Sequence, residues 1–152
     1  MAAYQERPGD HSSEGQGQGQ SGGRGRTPGI STRRLPDLSQ IDFELEFISR
    51  ILERDPLNAD ALRVHGNNLA ARGQYARALQ VDRRLVRLLP DRPVPWYNLA
   101  CSYAVLGMVD PAFAALQRAL ELGYRHVDHL RRDPDLKSLR HDPRFARLLR
   151  KL

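Results

Sequence analysis

Apolar residues recur at helical spacing through most of the chain, and the clearest run extends from Pro93 to Leu122. Four large apolar side chains lie three and four positions apart, which predicts a helix with one apolar stripe: Trp96, Leu99, Tyr103 and Leu106. We expect this helix to end at Gly107, because glycine adopts positive φ without steric cost. Asp110 as cap and Pro111 as first residue then predict a second helix, which ends at Gly123.

The same pattern occurs one unit earlier in the chain. Gly73 precedes Gly107 by 34 residues, and Ala78 precedes Ala112 by the same distance. A fixed period of this length with two helices per unit indicates a helical repeat. We therefore predict a first repeat over residues 59–92 and a second over residues 93–126.

Capping and turn residues define the two helices of the first repeat. Asn58 or Asp60 is expected to cap a helix that runs to about Arg72. A second helix is expected from about Tyr75 to Leu89, since Pro90 cannot continue it.

Both units resemble the tetratricopeptide repeat (TPR) family. The first unit matches its pattern at Leu62, Gly66, Leu69, Gly73, Tyr75, Ala78 and Pro90, and the second at Trp96, Leu99, Ala100, Tyr103, Gly107, Ala112, Leu116 and Ala119. The first unit departs from the pattern at His65, Asp82 and Leu85, and the second at Tyr124. The resemblance implies an all-α fold, a short right-handed superhelix of helix–turn–helix units with helical caps.

Residues 38–56 are interpreted as an N-terminal half-repeat. A helix is expected to begin near Leu38, with Ser39 or Asp42 as its cap. Its apolar residues are predicted to share one face and to cover the first repeat: Phe43, Phe47, Ile48, Ile51 and Leu52.

Residues 127–152 are interpreted as a degenerate third repeat followed by capping helices. Val127 and Leu130 continue the apolar stripe for a short distance. The Asp-Pro pairs at 133–134 and 142–143 each predict the start of a short helix. We therefore expect two short helices to pack on the last repeat and close a domain that spans residues 38–152.

Residues 1–37 have a different composition, rich in Gly, Gln and Arg with few apolar side chains. Such a segment buries too little apolar surface to offset the entropy of ordering, so it is predicted to be a disordered tail. Its GGRGR stretch is compatible with nucleic-acid binding or with a solvated linker.

The net charge of +6 is distributed unevenly. Residues 1–37 carry five Arg and four acidic residues, residues 38–122 carry ten of each sign, and residues 123–152 carry nine basic and four acidic residues. The C-terminal segment is therefore expected to attract an acidic partner.

No catalytic motif is present, so the chain is predicted not to be an enzyme and to use no cofactor. Cys101, the only cysteine, is expected to be a small buried apolar residue, and His65 a half-buried, hydrogen-bonded side chain. Several potential metal ligands lie close together, but five basic residues share their segment, so we interpret them as polar surface rather than a metal site: His126, Asp128, His129, Asp133 and His141.

The N-terminal region lacks the apolar core of a signal peptide, and no apolar run reaches the length that spans a bilayer. These patterns predict a soluble, cytoplasmic protein that does not bind membranes.

The TPR resemblance implies a concave wall formed by the first helix of each unit. Seven residues are predicted to line this groove: Arg63, Asn67, Tyr97, Asn98, Ser102, Arg131 and Arg132. One TPR subtype grips the carboxylates of a peptide C-terminus, and four of its positions are occupied here by Arg63, Asn67, Asn98 and Arg132. Asp128 occupies a fifth, where lysine is usual, and would repel a carboxylate.

Two functions are consistent with these patterns. The first is a non-catalytic interaction module that binds a protein or peptide, acidic or extended, in the concave groove. The alternative is a nucleic-acid-associated accessory protein that uses the basic C-terminal helices and the tail, with binding that falls steeply as salt increases. The sequence leaves the oligomeric state open.

Overall fold

The computed structural model of this chain describes residues 38–152. The predicted tail, residues 1–37, lies outside the described residues. Within the described range the fold is all-helical, without strands. Seven α-helices and one 3₁₀ helix follow in order: α1 (Leu38–Arg54), α2 (Ala59–Ala71), α3 (Tyr75–Leu88), α4 (Pro93–Val105), α5 (Val109–Glu121), α6 (Val127–Arg132), the 3₁₀ helix (Pro134–Leu139) and α7 (Pro143–Leu149).

Two helix hairpins, α2–α3 and α4–α5, form the centre of the fold. Gly73 has φ of 72° and Gly107 has φ of 74°, so the two turns have the same left-handed residue 34 positions apart. Each turn closes on its own first helix, through hydrogen bonds from Gln74 N to Leu69 O at 2.8 Å and from Met108 N to Tyr103 O at 2.9 Å. These turns confirm the two helix hairpins predicted from the repeat.

Small side chains allow the helices to approach closely. Ala78, Ala100 and Ala112 are fully buried. A Cβ atom added to Gly66 would lie 3.3 Å from Val81 Cγ1, which is tighter than ordinary van der Waals contact. The core then extends from the hairpins into the C-terminal region, where Leu130, Leu136 and Leu139 are also fully buried.

The C-terminal capping segment is built as predicted at its helix starts. Asp133 Oδ1 accepts from Asp135 N at 2.9 Å, and Asp142 Oδ1 accepts from Arg144 N at 2.9 Å. The first of these segments is a 3₁₀ helix rather than an α-helix.

Three predicted caps are not used as caps. Ser39 and Asp42 lie inside α1 instead of before it. Asp110 lies in the first turn of α5, which begins at Val109, and its carboxylate pairs with Arg144 at 2.7 Å. The Asn58 cap of α2 is confirmed, since its side chain accepts from Ala61 N at 2.9 Å.

The apolar face predicted for α1 is confirmed at Ile48, Ile51 and Leu52 but is wrong at the two phenylalanines. Ile41 and Ile48 are buried, whereas Phe43 and Phe47 are exposed. The helix is rotated so that its aliphatic side packs on α2 and its two phenylalanines face outwards.

The stripe predicted for α4 also differs from the packing. Trp96 is half-buried and donates its indole N–H to Pro90 O at 2.8 Å, and Leu106 is exposed. Because α4 packs against α3, α5 and the 3₁₀ helix, it is buried on most sides rather than along one stripe. No helix among residues 38–152 combines the length and the apolar character needed to cross a membrane.

Candidate functional site

Two of the predicted groove residues, Arg63 and Asn98, line the same small cleft. Arg63 lies on the first helix of the first hairpin and Asn98 on the first helix of the second. The cleft has a volume of about 50 Å³. Its other walls are mainly apolar and come from α2, α3 and α4: Ala59, Asp60, Leu85, Leu89, Val94 and Pro95. The stacking of the two hairpins therefore brings together donors that are distant in the sequence.

The polar groups of this cleft are not used by the protein itself. Asn98 is only 8% exposed. Among residues 38–152, no side-chain hydrogen bond or ion pair engages Asn98 or Arg63. The amide atoms of Asn98 are not among the buried side-chain atoms that lack a hydrogen-bond partner within residues 38–152, so the amide still reaches solvent through the cleft. A ligand that enters the cleft can therefore accept a hydrogen bond from this amide.

Asn67 lies one helical turn after Arg63 on α2 and is half-buried. Arg131 and Arg132 are exposed at the end of α6. None of the three has a side-chain partner among the described residues, so each has donors free for a ligand. Their part in binding stays a prediction.

Tyr97 and Ser102 lie in the protein interior, contrary to the prediction that they line the groove. Tyr97 donates its hydroxyl hydrogen bond to Asp133 and stacks on Tyr124, with ring centroids 4.3 Å apart. Ser102 donates to Asp82 Oδ2 at 2.6 Å. Both hydroxyl groups are therefore satisfied inside the protein and are not presented to a ligand.

Asp133 forms the centre of a buried polar network that the sequence did not reveal. His129 Nε2 lies 3.8 Å from Asp133 Oδ2, and Tyr124 Oη lies 2.9 Å from His129 Nδ1. Arg140 donates to the backbone carbonyl of Asp133. Asp133 was predicted to be polar surface, but it is 3% exposed and its carboxylate accepts the hydrogen bond from Tyr97. His126, Asp128 and His141 are exposed, as predicted for a polar surface.

Burial also shifts two acid–base equilibria in this network. The pKa of the Tyr97 hydroxyl is raised, first by burial and then by the neighbouring Cys101 and Asp133. The pKa of the Cys101 thiol is raised by burial and by the Asp133 carboxylate. Both groups therefore stay protonated at neutral pH, and Cys101 behaves as the small buried residue that the sequence predicted.

Cys101, Asp133 and Asp135 present potential metal-ligand atoms within 4.8 Å of one another. Metal binding needs a thiolate, and the raised pKa of Cys101 disfavours it. Asp133 is already engaged by Tyr97. This donor set therefore fits an internal hydrogen-bond network better than a cation site.

Two titratable side chains of the first hairpin have shifted pKa values, Asp82 and His65. Burial raises the pKa of Asp82 to about 7, and the Ser102 hydrogen bond opposes that shift. The pKa of His65 is lowered, first by burial and then by Arg77 and Arg84. His65 is half-buried as predicted, but its Nδ1 has no hydrogen-bond partner among the described residues.

A larger cleft of about 540 Å³ opens between the hairpin turns and the C-terminal cap. Tyr75, Val105, Lys137 and His141 contribute to its walls. It was missed from the sequence because its walls come from separate elements that only the tertiary fold brings together.

Comparisons with known proteins identify relatives of part of the chain. No family model matches it. It is 35% identical over 91 residues to a chloroplastic protein of Arabidopsis thaliana, and this match covers 56% of this chain and 26% of that protein. It is 31% identical over 68 residues to Cell division cycle protein 16 homolog of Mus musculus and to the Homo sapiens protein of that name, covering 43% of this chain and 11% of each. The chain therefore spans about a quarter or less of these relatives, to which it is distantly similar.

Proposed function

We propose that this chain is a non-catalytic TPR module that binds an extended segment of a partner protein along the first helices of its hairpins. The proposal rests mainly on one observation: Asn98, largely buried and without a partner among the described residues, lies in the same cleft as Arg63. The matches of 68 residues to the Cell division cycle protein 16 homologs have the length of two 34-residue units, which supports the TPR assignment.

The size of the cleft favours a peptide over a small molecule. Small-molecule sites have volumes of about 300–1,000 Å³, whereas the Arg63–Asn98 cleft has about 50 Å³. Such a cleft accommodates one side chain or one carboxylate of a longer ligand. Further contacts would come from Asn67 on the next turn of α2.

The donors favour an acidic or extended peptide. The Arg63 guanidinium makes charge-assisted hydrogen bonds to a carboxylate, and these are stronger than neutral ones. The Asn98 amide donates to a carboxylate or to a main-chain carbonyl. Apolar walls from Leu85, Leu89 and Val94 exclude water and strengthen both contacts.

An array of immobilised 12-residue peptides of acidic, neutral and basic composition tests this proposal, followed by fluorescence anisotropy on the peptides that bind. We expect Asn98→Ala and Arg63→Glu to weaken binding of the selected acidic peptides by at least about tenfold. Arg87→Glu makes the same charge change at an exposed position of α3 and should leave the affinity within about twofold.

Equal losses of peptide affinity for Arg63→Glu and Arg87→Glu would show that only the net charge of the protein matters. That result would contradict binding in the groove. A labelled RNA oligonucleotide in the same assay addresses the alternative function. RNA binding that falls steeply with salt and survives both groove substitutions, without any peptide binding, would replace this proposal by the nucleic-acid role.

A further inference from the structure

The outward face of α1 carries an exposed aromatic pair. Phe43 is 69% exposed and Phe47 is 57% exposed. Residues four apart lie on the same side of a helix, so the two rings are neighbours. Arg50 and Arg54 continue the same side towards the C-terminus of the helix. We call these four residues the α1 ridge.

The repeat shows which contact Phe47 lacks. Phe47 occupies the position of Val81 in α3 and of Ala115 in α5, each 34 residues further on. Val81 is 7% exposed and Ala115 is 3% exposed. Val81 faces the first helix of its own hairpin, since its Cγ1 would lie 3.3 Å from a Cβ atom at Gly66.

The α1 helix is therefore the second helix of a hairpin whose first helix is not among residues 38–152. Phe47 lies on the side where that first helix would pack, whereas the counterparts of Phe43, Arg77 in α3 and Pro111 in α5, are exposed. Large apolar side chains grouped at such a position mark an interaction surface.

We propose that a second copy of the chain covers the α1 ridge, with its own α1 packed antiparallel across a two-fold axis. Two phenylalanines occupy the N-terminal half of the ridge and two arginines its C-terminal half. Antiparallel packing about the point between residues 48 and 49 places Phe43 beside Arg54 of the second copy, and Phe47 beside Arg50 of the second copy. Parallel packing would instead place arginine beside arginine, which is repulsive.

Arginine on an aromatic ring is a contact that this fold already uses. The guanidinium of Arg144 lies 4.3 Å from the ring centre of Phe113, and that of Arg83 lies 5.5 Å from the ring centre of Tyr103. Such pairs contribute about 0.5–2 kcal/mol, more when water is excluded. Arg50 also pairs with Glu46 at 2.6 Å within α1, and both side chains are mostly exposed, so this ion pair rearranges at little cost.

The composition of residues 1–37 makes this segment a poorer occupant of the α1 ridge than a second copy of the chain. Residues 1–37 contain only four large apolar side chains, Met1, Tyr4, Ile30 and Leu35, and no two of them are four apart. A segment of this kind has no apolar stripe to match the ridge, whereas α1 of a second copy has one.

The expected affinity is modest because the contact is small. A helix of 17 residues is about 25 Å long. A single pair of such helices lies at the low end of the areas buried by specific interfaces. We therefore expect a dissociation constant of about 1–100 µM.

Sedimentation velocity and light scattering on the full chain, between about 1 and 500 µM, test the proposal. We expect a concentration-dependent monomer–dimer equilibrium. The double substitution Phe43→Ser with Phe47→Ser should raise the dissociation constant at least about tenfold, and its circular dichroism should remain helical because both side chains are exposed. Met108→Ser, at an exposed apolar position of the second hairpin turn, is the matched control and should leave dimerisation unchanged.

A charge substitution tests the antiparallel arrangement. Arg50→Glu removes the cation beside Phe47 of the second copy and should weaken the dimer, while Arg87→Glu on α3 should not. If the chain is still monomeric at about 500 µM, the proposal that a second copy covers the ridge is overturned. A dimer that withstands the Phe43 and Phe47 substitutions overturns it as well. The groove lies on α2 and α4, so peptide binding by the ridge variants separates failure of this inference from failure of the proposed function.

Discussion

Asp82 is the residue at which burial and charge conflict most strongly. It is 2% exposed and stands where the TPR pattern has an aromatic side chain. Its carboxyl group accepts from Ser102 at 2.6 Å, and it lies beside Gly66, where an added Cβ would come within 3.4 Å of Oδ1. Burial raises its pKa to about 7. This side chain therefore changes charge near neutral pH, at the contact between the two hairpins.

We predict that Asp82 makes the free energy of unfolding fall as pH rises. Below about pH 4 the carboxyl is protonated in both states, so it imposes no penalty. Between about pH 4 and 7 the unfolded chain ionises while the folded chain keeps its proton, and stability is lost at up to about 1.4 kcal/mol per pH unit. Above about pH 7 the loss is complete, at up to about 4 kcal/mol.

Urea unfolding of the wild type and Asp82→Asn at several pH values between about 4 and 8 measures this effect. Asparagine cannot ionise and keeps an oxygen for the Ser102 hydroxyl, so the variant should lose less stability with rising pH. Asp91→Asn, at an exposed position, should follow the wild type. Parallel pH profiles for Asp82→Asn and the wild type would contradict the raised pKa.

At the scale of the element, each hairpin depends on one left-handed glycine. Gly107 ends α4 with φ of 74°, and the backbone of the next residue bonds to Tyr103 O. Within residues 38–152, no atom outside its two chain neighbours lies within 4 Å of a Cβ added at Gly107. The need for glycine here is therefore a matter of backbone conformation rather than of space.

We predict that Gly107→Ala lowers the free energy of unfolding by about 1–2 kcal/mol, the cost of placing an L-residue in this conformation. Gly107→Asn should cost less, because asparagine tolerates the left-handed region. Urea unfolding followed by circular dichroism measures both. Equal losses for alanine and asparagine would indicate that another property of the turn is being disrupted.

At the scale of the whole molecule, packing is uneven along the chain. The central helix α4 contacts α3, α5 and the 3₁₀ helix, and most of its residues are buried. The first helix, α1, packs mainly on α2 and exposes its ridge. A helix at the end of a repeat array packs on one neighbour only. It therefore unfolds locally more easily than a helix at the centre.

Native-state hydrogen exchange should show this gradient. We predict that amides of α4 exchange most slowly, close to the rate set by global unfolding, and that amides of α1 exchange faster. If a second copy covers the ridge, protection of α1 should increase with protein concentration while that of α4 changes less. Uniform protection from α1 to α5 would contradict the gradient.

The local features of this fold were predictable from the sequence because neighbouring residues create them. The 34-residue period, the glycine turns and the Asn58 and Asp142 caps depend on side chains within a few positions of the backbone they affect. The all-α architecture follows from the same periodicity. Arg63 and Asn98 were identified as candidate donors, although the sequence did not show that both line one cleft with apolar walls.

Only the tertiary structure decided which sides of the helices are covered. Tyr97 and Asp133 are 36 residues apart in the sequence, and their contact removes Tyr97 from the predicted groove. Ser102 and Asp82 are joined in the same way across two helices. The periodicity of α1 showed that it has apolar residues but not that Phe43 and Phe47 face outwards. Burial depends on which helices pack on which side, and that arrangement is set by contacts between distant parts of the chain.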